Sequence, residues 1–323
     1  MGRPCGQVEA VSKRQCVAIL GAGMAGATAA RSLAEAGLTV RVFDKGRGVG
    51  GRMATRRNAA MQFDHGAQFL RAHGHAFARR VEDWTLRGVV SPWAGAGRSV
   101  GVPGMTAPVR DLLTGLSVAS ATTITRICRN GTEWHLVDAS GAVHGPFGAL
   151  GITFPAPQVA ALLDESHVAL HGLARVSYAP CWSLMVALDV AVMESLLEPR
   201  EDPVGLIALD SSKPGRPDGV RLVVHATADW SRRNLEEPRE AVAATLIRAA
   251  GLHLSTALRP LSVDAHRWRY AQVESALGLP CLYDPAMRLG AAGDWCLGAR
   301  IEAAHDSGLS LAEAMLADLG GSA

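Results

Sequence analysis

The stretch that decides the fold is CVAILGAGMAGATAARSLAEAGLTVRVFD, residues 16–44. Its first five residues, 16–20, are all apolar, which is typical of a buried parallel strand. A glycine-rich turn follows, and the alanine-rich segment 24–35 predicts a helix that Gly37 ends. The apolar run 38–43 predicts a second strand. A strand, a helix and a strand in this order form a βαβ unit, which requires a parallel sheet.

The turn itself has the spacing G-x-G-x-x-G, after a strand and at the start of a helix that Met24 opens. Gly21 permits the tight turn, Gly23 lets the backbone approach a pyrophosphate, and Gly26 allows the helix to pack closely on the strand. Asp44 closes the second strand about 20 residues later, where a carboxylate accepts hydrogen bonds from ribose hydroxyls. These features predict a dinucleotide site and leave FAD and NAD as alternatives.

Two further segments favour FAD. Gly50, Gly51 and Arg52 follow the second strand, where a plain NAD dehydrogenase would continue into its next helix. Paired glycines suit a second backbone approach to the same pyrophosphate, and Arg52 offsets phosphate charge with forked donors. Near the carboxyl end, Asp294 is predicted to bind ribityl hydroxyls. The helix that starts near Ile301 is predicted to stabilise negative charge at the flavin N1/O2 edge.

Bulk properties exclude several other classes. The formal net charge of +2 is small and mixed, which argues against a nucleic-acid partner. No apolar run reaches the ~18 residues that a membrane helix needs. The six cysteines show no metal-ligand spacing, His73 and His75 lack further ligands, and G-x-S-x-G is absent. We therefore expect a soluble, cytoplasmic protein without metal, with a disordered extension at residues 1–14.

The order of predicted elements gives the fold class α/β: a Rossmann-like FAD-binding domain with a discontinuous α+β substrate domain. We assign residues 15–76, 104–165 and 281–323 to the FAD-binding domain, and residues 77–103 and 166–280 to the substrate domain. Asn130-Gly131 predicts a hairpin turn between two alternating runs. Other predicted elements are strands at 183–188 and 220–225 and helices at 158–163, 239–250 and 303–319.

The three cofactor segments together resemble the amine oxidase-like flavoprotein superfamily, and the strings around them are similar to the bacterial renalase family. The similar strings cover nearly the whole chain after the N-terminal extension. They are FDKGRGVGGRMATRR (43–57), FDHGAQFLRA (63–72), PGM (103–105), PAPQ (155–158), YAPCW (178–182), KPGR (213–216), HATADWS (225–231), HRWRYA (266–271) and GDWCLGARIEAAHDSG (293–308).

This resemblance implies noncovalent FAD and the oxidation of isomeric dihydro-NAD(P), the 2- or 6-dihydro forms, to NAD(P)+. Hydride would pass to flavin N5 and O2 would become hydrogen peroxide, so the implied partners are a small dinucleotide and O2. No catalytic side chain is implied, because the flavin accepts the hydride. The sequence leaves the oligomeric state and the preferred dihydro isomer open.

The resemblance also implies roles for individual residues. Those at FAD are Met24, Asp44, Lys45, Arg52, Gln68, Ile124, Asp294 and Ile301, with Ile124 acting through its backbone. Those on the substrate side are Phe69, Leu70, Arg71, Ala72, His73 and Arg300. Arg300 suits a substrate phosphate or carboxamide, because its guanidinium offers several donors.

Two departures from the family pattern predict altered specificity and a more polar flavin edge. The chain is shorter than expected between Trp84 and Pro103, and His305 and Asp306 stand where the family has an aromatic and an apolar residue.

Two alternatives to this function stay open. An amine oxidase would have the same nucleotide domain, but such enzymes place a lysine near flavin N5. Lys213 falls in a Pro/Gly loop and Lys45 in the ribose region, so no lysine is predicted to be well placed. A non-catalytic flavin-binding protein is the other alternative, and the presence of Arg300 argues against it. An aromatic cage is less expected than core packing for Trp182, Trp268, Tyr270 and Trp295.

Overall fold

The structure, a computed structural model, describes residues 16–58, 61–95, 97–163 and 172–320. The predicted extension at residues 1–14 lies outside this range. The helices are α1 (Met24–Glu35), α2 (His75–Leu86), α3 (Ala107–Leu112), α4 (Ala156–Leu162), α5 (Ala228–Arg233), α6 (Arg239–His253), α7 (Asp294–Leu297) and α8 (Ile301–Gly320).

The strands fall into two large and three small sheets. They are β1 (Cys16–Leu20), β2 (Thr39–Phe43), β3 (Thr55–Asn58), β4 (Met61–Asp64), β5 (Val90–Pro92), β6 (Ser99–Gly101), β7 (Ser117–Ala119), β8 (Ile124–Asn130), β9 (Glu133–Asp138), β10 (Val143–Phe147), β11 (Ala149–Ile152), β12 (Ser177–Leu188), β13 (Leu196–Leu197), β14 (Val204–Leu209), β15 (Val220–Ala226), β16 (Pro260–Ser275), β17 (Leu282–Asp284) and β18 (Leu289–Ala291).

The first large sheet has six strands in the order β17-β18-β11-β1-β2-β7. Strand β1 runs parallel to β2 and to β11, with Leu20 opposite Phe43 on one side and Ile152 on the other. Residues 17–20 are fully buried because strands flank β1 on both sides and helices cover it, which explains their wholly apolar composition. The predicted βαβ unit is confirmed, and the carboxyl ends of β1, β2 and β11 meet at one edge.

Helices α1 and α8 pack against each other through very small residues. Ala27, Ala29 and Ala30 of α1 are fully buried. At Gly308 of α8 a Cβ atom would overlap the backbone carbonyl of Ala25, so only glycine allows this approach. The start of α8 is thereby held beside the start of α1, and the sequence had not singled out Gly308.

The second large sheet is antiparallel, in the order β13-β14-β15-β12-β16. Ser183 of β12 lies opposite His225 of β15 on one side and His266 of β16 on the other. Helix α6 covers one face, with Val242 and Leu246 in the core. The strands at 183–188 and 220–225 and the helix at 239–250 that the sequence predicted are therefore confirmed, with α6 extending three residues further than expected.

Other elements show where local patterns sufficed and where they did not. The predicted hairpin is β8–β9, with Gly131 at a positive φ of 60°, and β10 adds a third strand. Helix α8 begins at Ile301, where the sequence predicted the start of a helix. Helix α2 was not predicted, and its Phe77 and Trp84 enter the same core cluster as Ala27. No helix within the described ranges is both long and apolar enough to cross a membrane.

Candidate functional site

The glycine-rich turn has the geometry that a phosphate site needs. Gly21 has a φ of 109°, which disfavours any side chain, and a Cβ at Gly26 would overlap the carbonyl oxygen of Gly21. At Gly23, by contrast, nothing lies within 4 Å of where a Cβ would stand. A ligand can therefore reach the backbone at Gly23 and the N-terminus of α1, where Met24 begins the helix.

The second glycine segment lies directly on the first. The backbone N–H of Gly50 donates to the carbonyl oxygen of Ala22 at 2.8 Å. A Cβ at Gly51 would stand 3.5 Å from the Cα of Gly23, and both Gly50 and Gly51 have positive φ, 117° and 54°. The two glycine segments therefore lie against each other, and their joint approach to a pyrophosphate stays a prediction.

The third segment reaches the same place through an ion pair. Nη1 and Nη2 of Arg52 each lie 2.7 Å from a different carboxylate oxygen of Asp294, a forked geometry. Burial disfavours the charged form of Arg52, but Asp294 outweighs it and raises the pKa of the guanidinium. Two residues predicted to bind different parts of FAD are thus in contact with each other.

The residues predicted at the ribose end also lie together. The carboxylate of Asp44 accepts from the backbone N–H of Ala22 at 2.7 Å and from that of Gly46 at 2.6 Å. The carbonyl of Asp44 accepts from the backbone of Thr122 at 2.8 Å, which brings the start of β8 at Ile124 close. Lys45 is exposed, with its Nζ 3.4 Å from Oε1 of Gln158. The Asp44 carboxylate therefore holds the glycine-rich turn and the segment after β2 together.

Gln68 is buried beside Arg52 and already has protein partners. The backbone N–H of Ala67 donates to the carbonyl of Arg52 at 2.8 Å, and a Cβ at Gly66 would overlap that carbonyl. Nε2 of Gln68 donates to the carbonyl of Gly66 at 2.9 Å, while its Oε1 accepts from Nζ of Lys213 at 2.9 Å. The Gln68 amide is therefore held in one orientation.

Lys213 lies in the Pro/Gly-rich loop that the sequence indicated, but its side chain is buried. Its Nζ donates to Oε1 of Gln68 at 2.9 Å and lies 2.7 Å from Asp210 and 3.4 Å from Asp64. A single 3-10 turn, Asp210–Ser212, directs the side chain inward against a distant strand, which composition does not reveal.

The charges around Lys213 balance one another. Nη2 of Arg216 lies 2.5 Å from Asp64, so two cations meet two carboxylates. Burial alone would raise the pKa of Asp64, but Lys213 and Arg216 outweigh it and hold that pKa below its ordinary value. Burial raises the pKa of Asp210, against the attraction of Lys213. Such buried charges are tolerated because each has a partner.

Three histidines that the sequence did not single out lie on the same side of Gln68. Nε2 of His225 is 3.4 Å from Nε2 of Gln68, and the ring of His65 stacks on Trp268 at 5.1 Å. Burial, with help from neighbouring positive groups, lowers the pKa of His65 to about 3 and that of His225 and His266 to about 4. These imidazoles are therefore neutral at physiological pH.

The predicted substrate string, Phe69 to His73, is tied to the first turn of α8 by Glu302. The Glu302 carboxylate is buried, at 3% exposure, and accepts from the backbone N–H of His73 at 3.1 Å and of Gly74 at 2.6 Å. Arg300 is exposed and immediately precedes α8. The string and Arg300 were both predicted on the substrate side of the flavin. Glu302 was not predicted, because the residues that it contacts are distant in sequence.

A cavity of about 580 Å³ opens beside this string, between Leu70 and Ala72 on one wall and Trp93 and Arg98 on the other. Nε1 of Trp93 donates to Oγ of Ser212 at 2.9 Å, and its ring centroid lies 5.3 Å from Nζ of Lys213. The cavity wall therefore contacts the buried charge cluster beside Gln68.

The aromatic residues considered for a cage do not gather into one. Trp182 lies in the core of the antiparallel sheet and Trp295 in the core of the parallel-sheet lobe. Trp268 donates to the carbonyl of His65 at 2.9 Å, and the ring of Tyr270 contacts that of Tyr178. Within the part of the chain that the structure describes, no group of His, Cys, Asp and Glu could hold a metal.

Comparisons with known proteins agree with the fold that holds these residues. A protein provisionally named a protoporphyrinogen oxidase, from Exiguobacterium sp. 255-15, superimposes with a TM-score of 0.73 at 12% identity, over 93% of this chain and 98% of that one. An oxidoreductase from Methanosarcina mazei gives 0.66 at 12% identity, over 92% and 100%. At this identity the likeness shows a shared fold. Residues 19–83, which contain the glycine-rich turn and Asp44, match the family of NAD(P)-binding Rossmann-like domains.

Proposed function

We propose that the protein is an FAD-dependent oxidase that converts isomeric dihydro-NAD(P), in its 2- or 6-dihydro forms, to NAD(P)+. The observation that supports it most is the meeting of the glycine-rich turn, the Gly50-Gly51 segment and the Arg52–Asp294 pair. An NAD site needs only the first, whereas a second glycine approach and a third segment suit the longer FAD. The resemblance to the renalase family supports the substrate.

The residues fit FAD because the backbone is open where the phosphates would lie. Space at Gly23 and the free N-terminus of α1 suit the pyrophosphate. We propose that one set holds the adenosine and diphosphate portions and another the flavin portion. The first set is Gly21, Gly23, Met24, Gly26, Asp44, Lys45, Gly50, Gly51, Arg52 and Ile124, and the second is Gln68, Asp294 and Ile301.

The chemistry that bound FAD supplies is acceptance of a hydride at N5 and its passage to O2. In the balanced reaction dihydro-NAD(P), O2 and one proton give NAD(P)+ and hydrogen peroxide. The protein need only hold and orient the reactants, because a neutral dihydropyridine donates hydride without a side-chain base. The positive end of α8, at Ile301, favours negative charge in its vicinity.

The substrate side of this proposal is the string Phe69 to His73 together with Arg300. Glu302 joins the string to α8, so one helix positions both the proposed flavin edge and the proposed substrate wall. Residues 77–103 and 166–280 would form the substrate domain, and 15–76, 104–165 and 281–323 the FAD-binding domain. We propose that this enzyme works in the cytoplasm.

One observation favours a second candidate, an FAD-dependent amine oxidase. Lys213 is buried against Gln68, near the proposed flavin edge. A lysine near flavin N5 is what amine oxidases have. Lys213 is, however, engaged by Asp210, Asp64 and Gln68, which accounts for all three of its donors.

The test is anaerobic mixing of the purified flavoprotein with separate candidate reductants. We expect rapid loss of the oxidised flavin absorbance with 2- or 6-dihydro-NAD(P), slow loss with ordinary NADH, and none with simple amines. Oxidised NAD+ is the matched control, because it has the same groups but no hydride. Rapid bleaching by amines alone would establish the second candidate, and bleaching by no donor would favour a non-catalytic flavin-binding protein.

A further inference from the structure

One wall of the cavity beside the string is held in place by backbone hydrogen bonds. Leu70 and Ser99 exchange two backbone hydrogen bonds, at 2.8 and 3.0 Å, which join the string to the β5–β6 hairpin. The volume of about 580 Å³ lies within the roughly 300–1,000 Å³ of small-molecule sites. A fixed wall reduces the entropy lost when a ligand binds. The cavity is therefore suited to binding and not only to solvent.

Positive charge gathers around Phe69 of the string, next to the cavity: Arg98 lines the cavity, whereas Arg71 lies outside its lining. The guanidinium carbons of Arg71 and Arg98 lie 5.2 and 5.1 Å from the ring centroid of Phe69. Glu198 accepts from Arg98 at 2.9 Å and also lies 3.9 Å from Arg200, so one carboxylate faces several cations. Across the described ranges, Arg71 forms no ion pair with a carboxylate. An anionic ligand would relieve this excess charge.

Arg98 is oriented independently of any ligand. Its Nη1 donates to the carbonyl of Ala94 at 3.0 Å and its Nη2 to Glu198, while its Nε is buried without a partner. Its side chain is only 18% exposed, whereas Arg71 is exposed. One arginine is thus held rigidly and the other is free to close on a ligand.

We propose that Arg71 and Arg98 bind the diphosphate of the dinucleotide substrate, with the cavity taking the ribose beside it. The inference rests on the proposed function, since it names where the non-reacting part of the same substrate is held. Guanidinium groups suit this ligand because their forked donors match phosphate oxygens. Two arginines beside one aromatic ring suit a ligand with two linked phosphates better than a ligand with one phosphate.

The position of the cavity agrees with this division of the substrate. Trp93 separates the cavity from Lys213, and Lys213 donates to Gln68, which lies at the proposed flavin edge. Phe69, whose ring both arginines flank, follows Gln68 directly in the chain, so a diphosphate bound at Arg71 and Arg98 would lie close along the string to the proposed flavin edge. Binding energy from the remote diphosphate would then serve to orient the reacting ring.

The test compares Arg71→Gln and Arg98→Gln holoenzymes with the wild type. We measure calorimetric binding of NAD+ and of nicotinamide mononucleotide, which lacks the diphosphate, together with KM for a dihydro-NAD isomer. Each substitution should weaken NAD+ binding about tenfold and raise KM similarly, with kcat unchanged, because one charge-assisted contact is lost. Binding of the mononucleotide should stay within twofold of the wild type, about the scatter expected of a site away from the change.

Arg248→Gln, which removes an exposed cation on α6, is the matched control and should leave every value unchanged. The proposal is overturned if NAD+ binds equally to all variants, if it does not bind the wild type, or if mononucleotide binding falls as much as NAD+ binding. If no dihydro isomer reduces the wild type while the variants still lose NAD+ affinity, the proposed function fails and the diphosphate site stands.

Discussion

His65 is a neutral imidazole held where water does not reach it. It is only 7% exposed, it stacks on Trp268, and its Nδ1 has no hydrogen-bond partner in the described part of the chain. Burial first, and then the positive influence of His266 and Arg56, lowers its pKa to about 3. The imidazoles near Gln68 are therefore uncharged, although the buried Lys213 also donates to the Gln68 amide oxygen.

This lowered pKa predicts a loss of stability in acid. In the unfolded chain His65 has a pKa of about 6.5, so it is protonated below that pH. In the folded protein it stays neutral until about pH 3, so acid favours the unfolded state. The contribution of His65 to the free energy of unfolding is full above pH 6.5. It falls as the pH is lowered, by on the order of 2 kcal/mol at pH 5. Urea denaturation of the holoenzyme at pH 7 and pH 5 measures this loss.

The variant His65→Gln removes the titrating group and should lose about 2 kcal/mol less than the wild type between the two pH values. His225 and His266 contribute in the same direction in both proteins, so the difference isolates His65. His75→Gln changes an exposed histidine and serves as the control. Equal losses in His65→Gln and in the wild type would show that His65 is not held neutral.

Residues differ in how far the sequence could predict them. Gly21 and Gly26 were predictable because their role depends on atoms a few residues away. Lys213 and His65 were not, because each is buried by a segment more than a hundred residues distant, at Asp64 and at Trp268 respectively. A local pattern carries no signal for such contacts, although Lys213 and Arg216 in KPGR and Asp64 in FDHG have the opposite charges of a pair.

At the scale of elements, the first turn of α8 does two tasks. Its backbone N-terminus faces the proposed flavin site, and Glu302 on the same turn binds the N–H groups of His73 and Gly74. Gly74 is the N-cap residue of α2, so Glu302 also joins two helices. A displacement of α8 would therefore move the cofactor edge and the substrate string together.

Glu302 is consequently a positioning residue for the string. Glu302→Ala removes the acceptor of two backbone donors and should raise KM for the dihydro isomers about tenfold, while FAD content stays near that of the wild type. Glu302→Gln keeps one carbonyl oxygen and should recover most of the loss. Steady-state kinetics and the ratio of flavin to protein absorbance give both quantities.

Glu313→Gln is the control for this prediction, since Glu313 is exposed on the same helix. A purely structural role would lower FAD content and thermal stability in Glu302→Ala without changing KM of the enzyme that remains loaded. A Glu302→Gln variant no better than Glu302→Ala would show that the acceptor oxygen is not what positions the string.

Among the elements, periodicity and turn chemistry predicted β1, α1, β2, the β8–β9 hairpin and α8. The β5–β6 hairpin escaped because its strands have three residues each and contain Pro92, too short for alternation to show. Helix α2 was missed although Phe77, Val81 and Trp84 recur at the i, i+4, i+7 spacing of an amphipathic helix and pack into the core. Their packing into the core of the parallel-sheet lobe is a tertiary effect.

At the scale of the whole molecule, the βαβ rule fixed the parallel sheet, but nothing local fixed the register of the antiparallel one. The register aligns His225, Ser183 and His266 across three strands. Those strands are joined by long connections, so their pairing depends on the completed fold. The α+β character of residues 166–280 could be predicted, but the alignment of His225, Ser183 and His266 across its sheet could not.

The most direct test of the central claim, one FAD site built from three distant segments, is the identity of the bound cofactor. Purified protein is denatured and the released molecule is identified by chromatography and mass. We predict one FAD per chain, with apoprotein that takes up FAD again in preference to FMN or NAD+. Release of NAD(P) alone, or apoprotein that binds NAD+ and rejects FAD, would contradict the assignment of Gly50, Gly51 and Asp294 to a flavin site.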